Sequence, residues 1–397
     1  MKVLIVNPHM KIGGISASLY NLIDVLHKEN STHEIELFLF NPILIDKYRD
    51  LGTKTKIHYS FLLSCLFINF KEAKFFYKFP KLVIYILLKV LEKIIGTNYL
   101  RKLVIRNIYF KDHYDVAISF SNDIPLNHVF LGSNYFVQKV VTAKKKIAWI
   151  HNDIDRLGMT RDYILQEYAR FDKVVNVSNS CKNRFEELAP EFISKSCLLG
   201  NYIDGNSLRI KADEFNPYKD EVQMVKIVTV ARIDNQQKRI DRILKISKRL
   251  IEKGIEFKWH IIGNGPDLNT LLKEKEILGV NKYVVFEGYQ PNPFPYIKNA
   301  DIFVLTSSYE AQGMVLSESL LLGTPVVTTN FPASLEFVQN EKNGIIAENS
   351  TESLFETLLE LLNNNSKLKE LKQNLSGNDF GSLANDFLLK FEKIIHF

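Results

Sequence analysis

Two glutamates eight positions apart, Glu310 and Glu318, carry the clearest chemical signal in this chain. They sit in DIFVLTSSYEAQGMVLSESLLLGTPVVTTN, from Asp301 to Asn330. On one unbroken helix, eight steps of about 100° would leave them ~80° apart, so helix geometry does not align them. If Glu310 lies on a loop and a helix begins near Gly313, Glu310 flanks the unpaired amides of the helix start. Glu318 then faces out from the second turn, and the amides between them suit an anion or sugar hydroxyls. Two cations offer matching chemistry. Arg232 directly follows the apolar run Val225 to Val230, and Lys238 precedes the next helix. Converging at the carboxyl end of a strand, they can balance a diphosphate through charge-assisted hydrogen bonds. His151 ends the run Lys146 to Ile150, an address that projects its ring into the crevice where such sheets bind ligands. Each of these has a plainer reading as well: solvated glutamates on a surface helix, ordinary surface cations, a structural histidine.

The elements that must hold these residues alternate between strand and helix. Ile302 to Leu305 suits a buried parallel strand, and the segment after Gly313 stops at Gly323, with Pro325 unable to continue a helix. Val326 to Thr328 returns as a strand, giving a parallel crossover unit. Further strands read at Val3 to Val6, Glu34 to Phe40, Tyr114 to Phe120, Lys173 to Val177, Phe257 to Ile262 and Val284 to Gly288. Gly13 and Gly14 after the first strand allow a tight turn and close approach to a ligand, with Ser16 placed to cap the helix that follows. A loop is expected from Asp213 to Glu221, and helices at Thr351 to Leu362 and about Leu383 to Ile395. The fold class is α/β.

At 397 residues there is room for two domains, and 46% hydrophobic with 24% charged residues is a globular composition. Three cysteines, Cys65, Cys181 and Cys197, are too few and scattered for a disulfide framework or a zinc site and fit a reducing cytoplasm. The opening MKVLIVNPHMKIGG reads as a first strand and not a secretion signal, and no segment nears the ~20 apolar residues needed to span a bilayer. Charge is uneven: residues 71 to 111 hold ten Lys and Arg against two Glu, a net of +8 where the whole chain has +6. In residues 61 to 111 lysines recur at helical spacing among Phe, Tyr, Leu and Ile. The reading adopted is peripheral contact with an anionic membrane. The alternative is domain helices packing an apolar face with their lysines in water. No nucleic-acid recognition motif accompanies the charge, so no nucleic-acid partner is expected.

In this setting E-A-Q-G-M-V-L-S-E resembles the Glu-x7-Glu signature of retaining nucleotide-sugar glycosyltransferases of the GT-B fold, the group 1 (family 4) class. Gly-Met-Val inside it and Leu-Gly-Thr-Pro-Val-Val after it make the likeness specific. A-R-I-D-N-Q-Q-K-R resembles the same family's Gly-Arg-Leu…Lys-Gly motif, with Ala231 and Arg239 in place of the glycines; Arg239 puts the local loop shape in question. Asn201-Tyr202-Ile203-Asp204 resembles an Asn-Gly-Ile-Asp turn, with Tyr202 for Gly.

The resemblance implies two Rossmann-like domains facing across a cleft: residues 1–203 on the acceptor side, 204–379 binding the nucleotide-sugar, and a helix at 380–397 crossing back. Arg232 and Lys238 would neutralise the departing diphosphate, and His151 would lie beneath the donor sugar. Glu310 with Gln312, Gly313, Met314 and Val315 would hold sugar hydroxyls and phosphate. Glu318 would bind the ribose, Gly14 would approach the diphosphate, and Tyr289 and Gln290 are candidates for the base. The class implies no cofactor and no metal. Asp153 and Asp155 form a D-x-D, a motif of metal-dependent transferases of another fold, but acidic residues at a helix start explain them. The implied partners are a nucleotide-sugar donor, with UDP the family-weighted choice, and a glycan or lipid-linked glycan acceptor. The implied setting is surface-polysaccharide assembly at the cytoplasmic face of the membrane. Competing readings are another GT-B enzyme, such as an epimerase, and a non-catalytic sugar-binding protein.

Overall fold

The computed structural model describes residues 1–29, 32–45, 48–219, 224–375 and 381–397; for 381–383 it describes the backbone only. The expected loop from 213 to 221 thus lies partly outside the described residues. The chain divides into two compact units, Met1–Tyr202 with Ala384–Phe397, and Ile203–Leu383.

The first unit is built on a seven-stranded sheet. Its strands are β1 (Lys2–His9), β2 (Glu34–Asn41), β3 (Lys56–His58), β4 (His113–Ser119), β5 (Thr142–Ile150), β6 (Lys173–Asn176) and β7 (Ser196–Leu198). All pairs are parallel, in the order β3-β2-β1-β4-β5-β6-β7. Val3 to Val6 are fully buried, as an unbroken apolar run must be when helices cover both faces of a parallel sheet. Strand order reverses at β1, which lies between β2 and β4. The crevice outside the carboxyl ends of β1 and β4 is therefore where such a sheet takes ligands.

Four helices intervene between β3 and β4: Phe61–Phe67, Phe70–Phe76, Lys81–Ile95 and Thr97–Arg106. The helix Lys81–Ile95 buries Tyr85 alone, while Val83, Ile84, Ile86, Leu87, Val90, Leu91 and Ile94 face solvent. No described helix is long and apolar enough to cross a membrane. The last helix, Gly381–His396, fastens to this unit. Glu392 bonds His33 at 2.7 Å, and the rings of Phe387 and Tyr202 lie 5.2 Å apart.

The second unit holds a six-stranded parallel sheet. Its strands are β8 (Val225–Val230), β9 (Phe257–Ile262), β10 (Val284–Gly288), β11 (Ile302–Leu305), β12 (Val326–Thr329) and β13 (Gly344–Ala347), ordered β10-β9-β8-β11-β12-β13. Alternate residues feed two cores: Ile227, Trp259, Ile261 and Val304 on one face, Val228, Ile262, Phe303 and Leu305 on the other. The buried indole N–H of Trp259 donates to Thr229 Oγ1 at 3.0 Å, and Thr229 donates to the Val304 carbonyl at 2.7 Å. These two side chains are thereby satisfied inside the sheet. Here the order reverses between β8 and β11.

Candidate functional site

At the carboxyl end of β8 the chain enters a loop that two glycines allow to lie close to its neighbour. A Cβ on Gly263 would stand 1.8 Å from the Ala231 carbonyl oxygen, and one on Gly265 2.2 Å from that of Ile233. No larger residue fits, so the Arg232 segment rests on the turn after β9. Asp234 organises the loop by accepting from the amides of Gln236 and Gln237 at 3.0 and 3.3 Å. Arg239 takes a left-handed backbone, φ 50°, the conformation for which glycine is favoured. Its guanidinium makes two bonds to Asp241, at 2.9 and 3.0 Å, closing the first turn of the helix Ile240–Glu252. The large side chain is thus accommodated by turning to Asp241.

The segment after β11 answers across the strand-order reversal. Thr306 donates to the Lys238 carbonyl at 2.8 Å, and the Ser308 amide donates to the Gln237 carbonyl at 2.8 Å. Buried Arg242 donates to the Thr306 carbonyl at 3.1 Å and to Asn349 Oδ1 at 2.8 Å, and Asn349 donates to the Ser308 carbonyl at 2.8 Å. The two loops are thereby held in one register. Glu310, 8% exposed, forms an ion pair with Lys238 and accepts from Ser307 Oγ at 2.7 Å and from Gln237 Nε2 at 3.2 Å.

Gly313, φ 77°, then starts the helix Met314–Leu321; its carbonyl accepts from the Leu316 amide at 2.9 Å, and the Met314 and Val315 amides have no acceptor among the described residues. Gln312 is buried, and Met314, Val315 and Glu318 are half-buried, Glu318 in the second turn. Loop, helix start and both glutamates therefore stand where the spacing puts them. Arg232 differs: it is exposed and pairs with Asp234. It does not join Lys238 at Glu310. The reason is local, because Asp234 is two residues away and already fixed by its amide bonds.

In the first unit Gly14 is the first residue of the helix Gly14–Lys28, at the carboxyl end of β1, and a Cβ there would meet open space. Ser16 does not cap this helix. Gly13 occupies the cap, and Ser16 lies inside the first turn with its hydroxyl 3.5 Å from the His9 carbonyl.

His151 leaves β5 with its ring stacked over Trp149 (7° between planes) and against Phe120, and its amide donates to Asn122 Oδ1 at 3.2 Å. The Nε2 atom is buried with no hydrogen-bond partner among the described residues. Burial lowers the pKa of this imidazole to about 3, so at neutral pH it is uncharged. Next along β4's exit, Asp123 accepts from the amides of Leu131 and Gly132 at 2.6 and 2.8 Å. Burial nevertheless raises its pKa to about 6, and burial together with the charge of Asp123 raises that of Glu167 to about 7. The D-x-D pair is taken up structurally. Asp153 caps the helix Ile154–Leu157 through the Arg156 amide at 2.9 Å, and Asp155 pairs with Arg184 at 2.8 Å.

Sequence reasoning missed the residues that hold Glu310, Gln237 and Ser307, and those that hold its loop, Arg242 and Asn349. Ser307 stands three positions before Glu310 and Gln237 directly before Lys238, so proximity was the only signal for those two. Arg242 and Asn349 gave none.

Residues 211–376 match the family model described as Glycosyl transferases group 1. The chain is 27% identical over 155 residues to the poly(ribitol-phosphate) alpha-N-acetylglucosaminyltransferase of Staphylococcus aureus, covering 38% of this chain and 30% of that one. It is 24% identical over 273 residues to the N-acetyl-alpha-D-glucosaminyl L-malate synthase of Bacillus anthracis, covering 66% of this chain and 68% of that one. The match therefore spans less than a third of the first relative's length. Among solved structures, TarM of S. aureus, in complex with fondaparinux, alpha-GlcNAc-glycerol and UDP, aligns with a TM-score of 0.71 at 14% identity over 100% of both chains. That likeness gives the fold: both chains are GT-B.

Proposed function

From the premise that residues 211–376 belong to the group 1 glycosyltransferases, we propose that the protein is a retaining glycosyltransferase. It moves a sugar from a nucleotide-sugar, a UDP-sugar by preference, to a glycan or lipid-linked glycan in surface-polysaccharide biosynthesis. The observation that carries the proposal is the Lys238–Glu310 pair beside the open amides of the helix Met314–Leu321, at the strand-order reversal of the second sheet.

In this reading the donor diphosphate lies against Lys238 and the Met314 and Val315 amides, and reaches Arg232 only by drawing it from Asp234. Charge that builds on the departing nucleoside diphosphate meets cations already in place, and losing one such contact typically costs ~3 kcal/mol or more. Glu310, held by Ser307 and Gln237, orients sugar hydroxyls without being free to swing away. Glu318 accepts from the ribose, and Gly313 and Gln312 shape the floor; in the first unit, the resemblance assigns Gly14 to the donor phosphates. In the first unit, the family resemblance assigns neutral His151 to the donor sugar. Retention follows from the Glu-x7-Glu resemblance. The two basic side chains and the helix amides supply the positive charge, so the reading calls on no metal and no cofactor. Names of relatives support the setting: one acts on poly(ribitol-phosphate), another in capsular polysaccharide biosynthesis.

The acceptor side points to a membrane surface. Among the described residues, only Lys89 of the ten Lys and Arg between 71 and 111 has a carboxylate partner, Glu92 at 2.8 Å. The exposed apolar face of the helix Lys81–Ile95 lies among them. Each basic residue near an anionic leaflet contributes about 1 kcal/mol, which suits peripheral attachment at the cytoplasmic face.

Two measurements test the proposal. Purified protein given a panel of nucleotide-sugars should hydrolyse one of them slowly and transfer from it to acceptor; no turnover with any donor would defeat the enzymatic reading. Flotation with anionic liposomes should weaken when Lys71, Lys74, Lys78 and Lys81 are neutralised together. Undiminished flotation would remove the membrane.

A further inference from the structure

The first unit encloses a cavity of about 630 Å³ between the β2–β3 edge of its sheet and the helices inserted after β3. That is within the size range of small-molecule sites, roughly 300–1,000 Å³. Phe38 and Phe110 form its floor, and Leu88, Leu100 and Val104 line its walls. Its one ionisable histidine, His58, is already committed, with Nε2 2.6 Å from Glu36. Glu36 in turn accepts from Tyr114 at 2.6 Å and Lys56 at 3.2 Å. The charged groups beside the cavity thus satisfy one another, and of the uncharged polar lining residues Ser60 accepts from the Leu63 amide and Asn107 donates to the Leu103 carbonyl.

The cavity is continuous with the exposed apolar surface. Leu91 and Leu103 line it and are 38% and 43% exposed, and they belong to the helices Lys81–Ile95 and Thr97–Arg106. Tyr109 also lines it, is 81% exposed, and carries the Lys111 ammonium 5.3 Å from its ring centre. The opening is therefore apolar within and cationic outside. A second copy of this chain is a poor occupant, because it would set two clusters of unpaired lysines against each other.

We propose that this cavity takes the hydrocarbon chain of an anionic lipid, the carrier of the acceptor glycan, with its phosphate met by the cations at the mouth. The assignment rests on the reading of the acceptor as lipid-linked. The helix face outside holds the protein on the surface, and the cavity selects one lipid by drawing in its tail. Affinity then depends on chain length, since each methylene withdrawn from water adds to binding.

The test uses the purified full chain and single-chain alkyl phosphates of short and long chain, below their micelle concentrations, displacing a fluorescent fatty acid. The long chain should displace the probe at least about tenfold better than the short one, and glycerol phosphate should not displace it. Val104→Trp, which fills the cavity, and Leu103→Asp, which alters an exposed wall residue with little threat to folding, should each cost about tenfold in long-chain affinity. Leu87→Glu, on the outer face of the same helix layer, should reduce liposome flotation and leave displacement intact. Probe uptake independent of chain length, or both cavity variants binding as the parent does, would overturn the proposal. So would a Leu87→Glu loss equal to theirs, because the chain would then lie on the open face. Nucleotide-sugar hydrolysis, measured in parallel, separates the two readings: its absence with chain binding retained removes the transferase and leaves the cavity.

Discussion

Lys238 and Glu310, 72 positions apart, meet as an ion pair where the loops after β8 and β11 face each other. Both are largely buried, at 17% and 9% side-chain exposure. A pair so placed is costly to break from one side, because the remaining charge has lost its counter-charge and its water. Its stability and its activity can therefore be separated by mutation.

Lys238→Ala should lower unfolding stability by ~1–3 kcal/mol, partly cushioned by the Ser307 and Gln237 bonds to Glu310. Adding Glu310→Ala should recover part of that loss, while sugar transfer falls well over about tenfold in each single variant and does not recover. Urea unfolding and initial rates on the same preparations check both. Additive stabilities would show that the two side chains do not interact.

The close approach after β9 gives a second prediction. Gly265→Ala sets a Cβ against the Ile233 carbonyl at 2.2 Å, which the backbone must move to relieve. The variant should lose a few kcal/mol of stability and bind nucleotide more weakly through displacement of the Arg232 loop. Gly254→Ala, where a Cβ meets nothing within 4 Å, is the control for packing, though its φ of 74° carries its own strain.

The buried histidine predicts a flat feature in the rate profile. With its pKa held near 3 by burial, His151 stays neutral through the ordinary range, and protonation of this ring contributes no inflection near pH 6.5. Rates measured from pH 5.5 to 9 should show no such step that His151→Asn removes, while the substitution itself slows transfer. A step abolished by His151→Asn would mean the ring titrates.

Glu167 gives a stability signature of opposite kind. Its folded pKa of about 7 lies above the usual ~4.3, so the folded state binds the proton more tightly than the unfolded one. The contribution is fully present below about pH 4 and is lost as pH rises through 7. Glu167→Gln should accordingly be the more stable protein at pH 8, by on the order of 3 kcal/mol, with the gap closing toward pH 4. Melting temperatures of the two proteins across that range check the sign.

Much of this architecture could be read from the chain. Ile302 to Leu305, Gly313, Gly323 and Pro325 mark the strand, helix start and stop that the structure has, because each mark is a local steric rule. β3 and β7, three residues each, are too short for any periodicity and exist because neighbouring strands pair with them. The helix Asn365–Asn374 is polar enough to pass for loop. At the site, residue types and order were legible and partnerships were not. Nothing local tells that Arg232 turns to Asp234 while Lys238 turns to Glu310, or that Arg242 and, from beyond β13, Asn349 support the loop. Such choices are made by tertiary distance. Ser16 shows the converse error: a good capping residue placed three positions too late, inside the helix that Gly13 caps.

The most direct measurement of Lys238's part in nucleotide binding is calorimetric titration of UDP into the parent protein and into Lys238→Ala. The account predicts saturable binding by the parent and a loss of about 3 kcal/mol, more than a hundredfold in affinity, in the variant. Equal binding by both proteins, or no heat of binding from the parent with UDP or any other nucleoside diphosphate, would contradict it.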